Sequence, residues 1–148
     1  MNLVETLDKE IIEAMKAKDG IRLATLRGVK GAMKLQSIDN KKEINDELLI
    51  DIVSKEIKTR NESIKEFEKG NRQDLIDKTK KEINILSKYL PKQLSEEEII
   101  TIINEVFEEV KPVGIKDMGK IMGIITPKVK GKADMSIVSN LIKNKLNN

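Results

Sequence analysis

The chain has 148 residues, with 28 Lys plus Arg against 25 Asp plus Glu, and contains no Cys, no His and no Trp. Phe67, Tyr89 and Phe107 are its whole aromatic content. These absences exclude thiol catalysis, His-based triads and Cys/His zinc sites, and leave carboxylate, lysine, hydroxyl or backbone chemistry.

With 39% apolar residues a core is attainable, but each subdomain's core should be thin. Apolar residues recur at spacings of three and four almost throughout, and no stretch alternates strictly as a half-buried strand does, so the expected fold is all-α. Asn2, with Glu5 three residues on, is a helix start. Leu3, Leu7, Ile11, Ala14 and Met15 then keep one face apolar as far as Asp19-Gly20. A second helix from about Ile21 carries Leu23, Leu26, Val29, Met33 and Ile38, and Gly28 and Gly31 interrupt it. Asn45 caps a long third helix with Leu48, Leu49, Ile52, Val53, Ile57, Ile64 and Phe67 inward, closed by Gly70. Arg60 falls on that apolar stripe, which suggests a snorkelling cation or a partner carboxylate from another helix. A fourth helix, opened by Asn71, places Leu75, Ile76, Ile83, Leu86 and Leu90 on one side before Pro91.

Ser95-Glu96-Glu97-Glu98 has the spacing of a capping box and begins a fifth helix through Ile99, Ile102, Ile103, Val106, Phe107 and Val110. Asp117 is expected to cap a sixth through Met118, Ile121, Met122 and Ile125, and Asp134 a seventh through Ile137, Val138, Leu141, Ile142 and Leu146. The expected organisation is a four-helix N-terminal subdomain over 1–90, a linker at 91–94 and a smaller three-helix C-terminal subdomain over 95–148. Zero cysteines argue against an oxidising compartment, no apolar run approaches a membrane span, and the start does not read as a signal peptide. The expectation is a soluble cytoplasmic protein.

Charge is unevenly placed. Residues 95–110 hold six acidic and no basic side chains, whereas 111–148 hold eight basic and two acidic ones, a block of +6. Such a field favours polyanions at short range; the plainer alternative is a solvated face. Within that block Thr126 to Asp134 places Lys128, Lys130 and Lys132 at alternate positions around Gly131. If the segment is an extended loop, the three ammonium groups share a side and suit a phosphate backbone. Gly119 and Gly123, four apart on the sixth helix next to Lys120, read first as helix packing and second as close approach of an RNA backbone or partner. For Gly28 and Gly31 the packing reading is favoured more strongly. Gly114 through Lys120 superficially matches a phosphate-binding loop, but Ile121 follows where Ser or Thr is required and no strand precedes it. The carboxylates single out no acid-base pair, so no catalytic residues, cofactor or metal are expected.

Several strings together resemble the YqeY family: Lys58-Thr59-Arg60-Asn61-Glu62-Ser63-Ile64 with Phe67, Gly70-Asn71-Arg72-Gln73-Asp74-Leu75, Tyr89-Leu90-Pro91-Lys92-Gln93-Leu94, Met118-Gly119-Lys120-Ile121-Met122-Gly123 and Pro127 to Asp134. The similarity runs from Met15-Lys16-Ala17-Lys18-Asp19 to the last helix. Thr79 departs from it, where a Glu often precedes the one matching Glu82. The family resembles the tail region of GatB, the B subunit of the tRNA-dependent amidotransferase. That resemblance implies a tRNA-binding or tRNA-enzyme accessory module, with tRNA, an aminoacyl-tRNA synthetase or an amidotransferase subunit as partner. It also implies a carbon-nitrogen ligase label with glutamine as amide donor, for whose catalytic parts 148 residues leave no room. The expected nucleic-acid contacts are Lys120, Lys128, Lys130 and Lys132, with Gly119, Gly123 and Gly131 allowing close approach. A protein-protein adaptor without membrane or metal is the alternative.

Overall fold

The computed structural model describes residues 2–147. Seven α-helices account for most of them, with no strand among the described residues: α1 Leu3–Lys16, α2 Gly20–Asp39, α3 Asp46–Lys69, α4 Gln73–Ser87, α5 Glu96–Val110, α6 Met118–Val129 and α7 Met135–Leu146. A single 3-10 turn, Ile115–Asp117, leads into α6. The chain divides into two compact units, one ending at Leu90 and the other beginning at Pro91.

Side-chain caps set most of the helix starts. Asn2 Oδ1 accepts the Glu5 amide at 2.8 Å, Asp19 Oδ1 that of Arg22 at 3.2 Å, and Asn45 Oδ1 that of Leu48 at 2.9 Å. Each satisfies one of the amides that a helix leaves unpaired at its first turn. Asp46 adds a tertiary cap, because its carboxylate accepts both the Leu3 and Val4 amides at 3.2 Å and ties the start of α3 to that of α1. At α5 the capping box is complete, the Glu98 amide donating to Ser95 Oγ at 3.1 Å and the Ser95 amide to Glu98 Oε1 at 3.2 Å. Hydrogen bonds from Ser95 to the ionised form hold the Glu98 carboxyl below the ordinary glutamate range.

Some boundaries differ from the sequence reading. Gly70 has φ −90°, and it is Asn71, at φ 55°, that takes the left-handed conformation after α3, leaving Arg72 as the N-cap of α4. Asn tolerates that conformation better than most residues, so the Gly was not needed for it. Asp117 does not cap α6. Its Oδ2 instead accepts the Val113 amide at 2.8 Å and closes the loop ahead of the 3-10 turn.

The first unit packs Leu7, Ile11, Leu26, Val29, Met33, Leu49, Val53, Leu86 and Tyr89 into one core. Polar ties brace its helix pairs: Arg22 Nη2 to Glu10 Oε2 at 2.8 Å and Lys30 Nζ to Asp8 Oδ1 at 2.5 Å join α2 to α1. Arg60 proves to be held by carboxylates. It pairs with Glu56 on its own helix and, at 3.4 Å, with Glu82 on α4, while its Nε is buried without a partner. The Tyr89 hydroxyl is also buried beyond hydrogen-bond geometry, and burial, reinforced by the Glu10 carboxylate, raises its pKa. Met15 and Ile38, expected to face inward, are 48% and 77% exposed.

The second unit surrounds Ile99, Ile103, Val106, Ile121, Ile125, Val129, Val138 and Ile142. Ile137, also expected inward, is 49% exposed. Residues 91–94 belong to this unit: the Leu94 amide donates to the Lys132 carbonyl at 2.8 Å, and Gln93 Nε2 to the Gly131 carbonyl at 2.8 Å. Lys145 Nζ stands 5.2 Å from the centre of the Phe107 ring, a cation-π contact between α7 and α5.

Candidate nucleic-acid interface

The lysine-rich segment is not an extended loop. Helix α6 continues through Pro127 and Lys128 to Val129; Lys130 is its C-cap, and Gly131 turns the chain at φ 75°. The alternate-side geometry expected for Lys128, Lys130 and Lys132 is therefore absent. Val129, buried in the core, keeps the last turn helical, and Pro127 is tolerated for a local reason. Lacking an N–H, it leaves the Gly123 carbonyl without its intrahelical donor, and because Gly123 is exposed that carbonyl is not shut away from solvent. Gly131 is needed for the turn itself, since its positive φ disfavours any side chain.

What the structure brings together is a different set. At 100° per residue, Gly119, Lys120, Gly123 and Pro127 fall within a sector of about 100°, and all four are exposed. A Cβ placed at Gly119 or Gly123 would meet nothing within 4 Å. The packing reading of this pair is thus corrected: no neighbouring helix uses the space. The same holds for Gly28 and Gly31 on α2, where a Cβ also meets nothing within 4 Å. Lys128, two turns beyond Lys120, is rotated about 80° from it, and Lys130 and Lys132 flank the Gly131 turn. All four lysines are exposed. Both acids of the +6 block are committed to backbone amides, Asp117 to Val113 and Asp134 to Ser136 at 2.8 Å. Both keep their charge and are already counted in the +6, and the six carboxylates of α5 belong to the same unit, so the positive field is local to this end.

Among the described residues no group of three His, Cys, Asp or Glu is placed to hold a metal ion, and no helix is long and apolar enough to cross a membrane. A shallow concavity lined by Asn2, Val4, Glu5, Glu43, Ile44, Asn45, Asp46 and Glu47 surrounds the Asp46 cap and offers an anionic rim without a nucleophile or base set apart by its surroundings. Sequence reading missed the solvent-facing side of α2. Its signal was present in the spacing of Arg27, Gly28, Gly31, Lys34, Leu35 and Ile38, all on one side of a helix.

Comparison with known proteins gives these features a family context. The sequence profile of the family described as Yqey-like protein matches residues 4–146. Curated relatives include proteins named "Altered inheritance of mitochondria protein 41, mitochondrial". The one from Kluyveromyces lactis is 36% identical, over 80% of this chain and 68% of its own length. That of Lachancea thermotolerans is 37% identical, over 75% of this chain and 61% of the relative. In Vanderwaltozyma polyspora the identity is 32%, over 96% of this chain and 80% of the relative. The chain thus spans between about three fifths and four fifths of the length of these relatives. Their names overturn the cytoplasmic expectation and point to mitochondria. That expectation rested on the lack of a secretory signal, and import into mitochondria uses amphipathic, Arg-rich segments of another kind. With the family profile matched over residues 4–146, almost its whole length, the chain belongs to the YqeY family.

Proposed function

We propose that this chain is a non-catalytic, tRNA-binding or tRNA-enzyme accessory module that grips the phosphate backbone with its second unit. The observation that carries this reading is the bare Gly119–Gly123 face of α6 beside Lys120, in a block of net charge +6. Without Cβ atoms, the helix surface sinks enough for a sugar-phosphate chain to approach, and Lys120, Lys128, Lys130 and Lys132 supply ammonium groups around it. Gly131 serves indirectly, by turning the chain so that Lys130 and Lys132 flank α6's end. No aromatic side chain is exposed there to stack a base, which suits recognition by shape and charge. The resemblance to the amidotransferase tail supports tRNA as the polyanion, with a synthetase or amidotransferase subunit as the enzyme served.

The test is binding of total tRNA against duplex DNA across a salt series, with the variant Lys128→Glu, Lys130→Glu, Lys132→Glu alongside. Preference for tRNA is expected, with a log-log salt slope that flattens by about 0.7–0.9 for each phosphate that the variant no longer neutralises. Equal weak binding to both nucleic acids, or unchanged affinity in the folded triple variant, rejects the assignment. Incubation of the pure protein with glutamine, ATP and misacylated tRNA is expected to form no amide above blank; formation overturns the non-catalytic reading.

A further inference from the structure

The outward side of α2 is a feature of the first unit that its own packing does not use. Arg27, Gly28, Gly31, Lys34, Leu35 and Ile38 lie within a helical sector of about 120°, and every one of them is exposed. Leu35 and Ile38 are 60% and 77% exposed, too much for aliphatic side chains a turn apart to be accounted for as scattered surface residues. The glycines leave a shallow depression, since a Cβ at either would meet nothing within 4 Å.

Charge selects the occupant. The helix carries four cations and a single acidic residue, Asp39, at its C-terminal end. Two of its four cations, Arg22 and Lys30, are paired with Glu10 and Asp8 of α1, whereas Arg27 and Lys34 make no ion pair among the described residues. A second α2 laid across the first would gather four such cations, which disfavours self-pairing through this face. A phosphate chain would suit the cations but gains nothing from Leu35 and Ile38, whose burial needs an apolar surface. The combination fits a partner that is apolar along one ridge and acidic beside it.

We propose that this side of α2 docks an acidic amphipathic helix of a partner protein. The apolar ridge of that helix seats over Gly28 and Gly31 and against Leu35 and Ile38. Arg27 and Lys34, seven residues and so about 10.5 Å apart along the axis, meet carboxylates seven or eight residues apart on it. The glycines permit an axis separation toward the short end of the usual 8–10 Å range. This surface is separate from the α6 face assigned to tRNA, and each assignment stands without the other.

The experiment selects a displayed library of 20-residue amphipathic helices, randomised in flank charge, against the full-length chain. Winners are titrated against the wild type, Gly31→Leu and the double variant Arg27→Glu, Lys34→Glu. Because position 31 faces open space, Gly31→Leu is expected to keep its helical spectrum and lose no thermal stability, so lost binding reports the surface and not the fold. The expected result is enrichment of acidic-flanked helices whose affinity falls roughly tenfold or more on either variant. The triple variant at Lys128, Lys130 and Lys132 should bind them as the wild type does. No enrichment, winners without an acidic bias, or winners indifferent to both variants overturn the proposal. So does self-association of the wild-type chain that Gly31→Leu abolishes, which would make a second copy the occupant, or a loss of tRNA affinity in Gly31→Leu, which would make it RNA.

Discussion

Replacing Gly28 and Gly31 by Ala should stabilise the protein, and the size of the gain follows from what surrounds them. Both lie inside α2, and a methyl group at either position meets no atom within 4 Å, so the substitution introduces no clash and fills no existing gap. What changes is the cost of holding Gly in a helix, about 0.5–1 kcal/mol per residue relative to Ala. The pair should therefore add about 1–2 kcal/mol to the first unit. For a unit of this size each kcal/mol moves the midpoint by about 4–8 °C, so a rise of roughly 5–15 °C is expected in its thermal transition by circular dichroism. Urea unfolding should show a higher midpoint with an unchanged slope, because the surface exposed on unfolding hardly alters. A midpoint that stays put or falls would refute the reasoning. It would mean that something in the folded protein already occupies the space beside these glycines, and the bare face of α2 would not exist.

Four further outcomes follow from the ion pairs, the buried hydroxyl and the capping box. Arg60→Ala should cost about 2–3 kcal/mol in urea unfolding, because it strands Glu82, whose side chain is only 21% exposed. Arg60→Met combined with Glu56→Gln and Glu82→Gln should recover most of that loss; failure to recover would show that the guanidinium contributes more than neutralisation. Tyr89→Phe should change stability by less than about 0.5 kcal/mol, since the hydroxyl it removes makes no hydrogen bond; a loss above about 1.5 kcal/mol would reveal a partner. Glu98, held below the ordinary glutamate pKa by the Ser95 amide and hydroxyl, contributes stability above the unfolded-state value that is lost as pH falls through its folded value. The acid limb of the stability profile should therefore flatten in Glu98→Gln, and an unaltered limb would remove the capping box from the account.

The periodic and capping signals of the sequence were strong enough to give the helices. Asn2, Asn45, Ser95 and Asp134 all accept the amides their spacing implied, because a cap depends only on a few adjacent residues, and Asp19, read only as the end of α1, caps α2 as well. Where another contact competed, the reading failed: Asp117 turned back to the Val113 amide four residues earlier, and the buried Val129 carried α6 past Pro127. Arg60 was legible as an anomaly, though Glu82 was identifiable as its partner only once α4 was set beside α3. The lysine segment was misread because alternate spacing describes a strand-like loop, and a helix end followed by a left-handed Gly scatters the same residues. Glycine spacing was the least legible signal of all. In a sequence, a Gly pair facing another helix and a Gly pair facing solvent are written identically.

That identity makes the two bare pairs informative when they are set against each other. Gly28 and Gly31 stand between Arg27 and Lys34 and lead onto Leu35 and Ile38, whereas Gly119 and Gly123 share their exposed sector with Lys120 and Pro127. Each pair forgoes about 1–2 kcal/mol of helix stability that Ala would have supplied, with no internal packing in return. Under the two proposals, each cost is offset when a partner approaches the helix backbone. Large aliphatic side chains beside the first pair require an apolar visitor with acidic flanks, because phosphate would leave them wet. At the second pair no large aliphatic side chain stands in the sector, and the surrounding block of +6 attracts a polyanion. The two depressions are of like construction and unlike chemistry, and for that reason the first is proposed for a protein helix and the second for a nucleic-acid backbone.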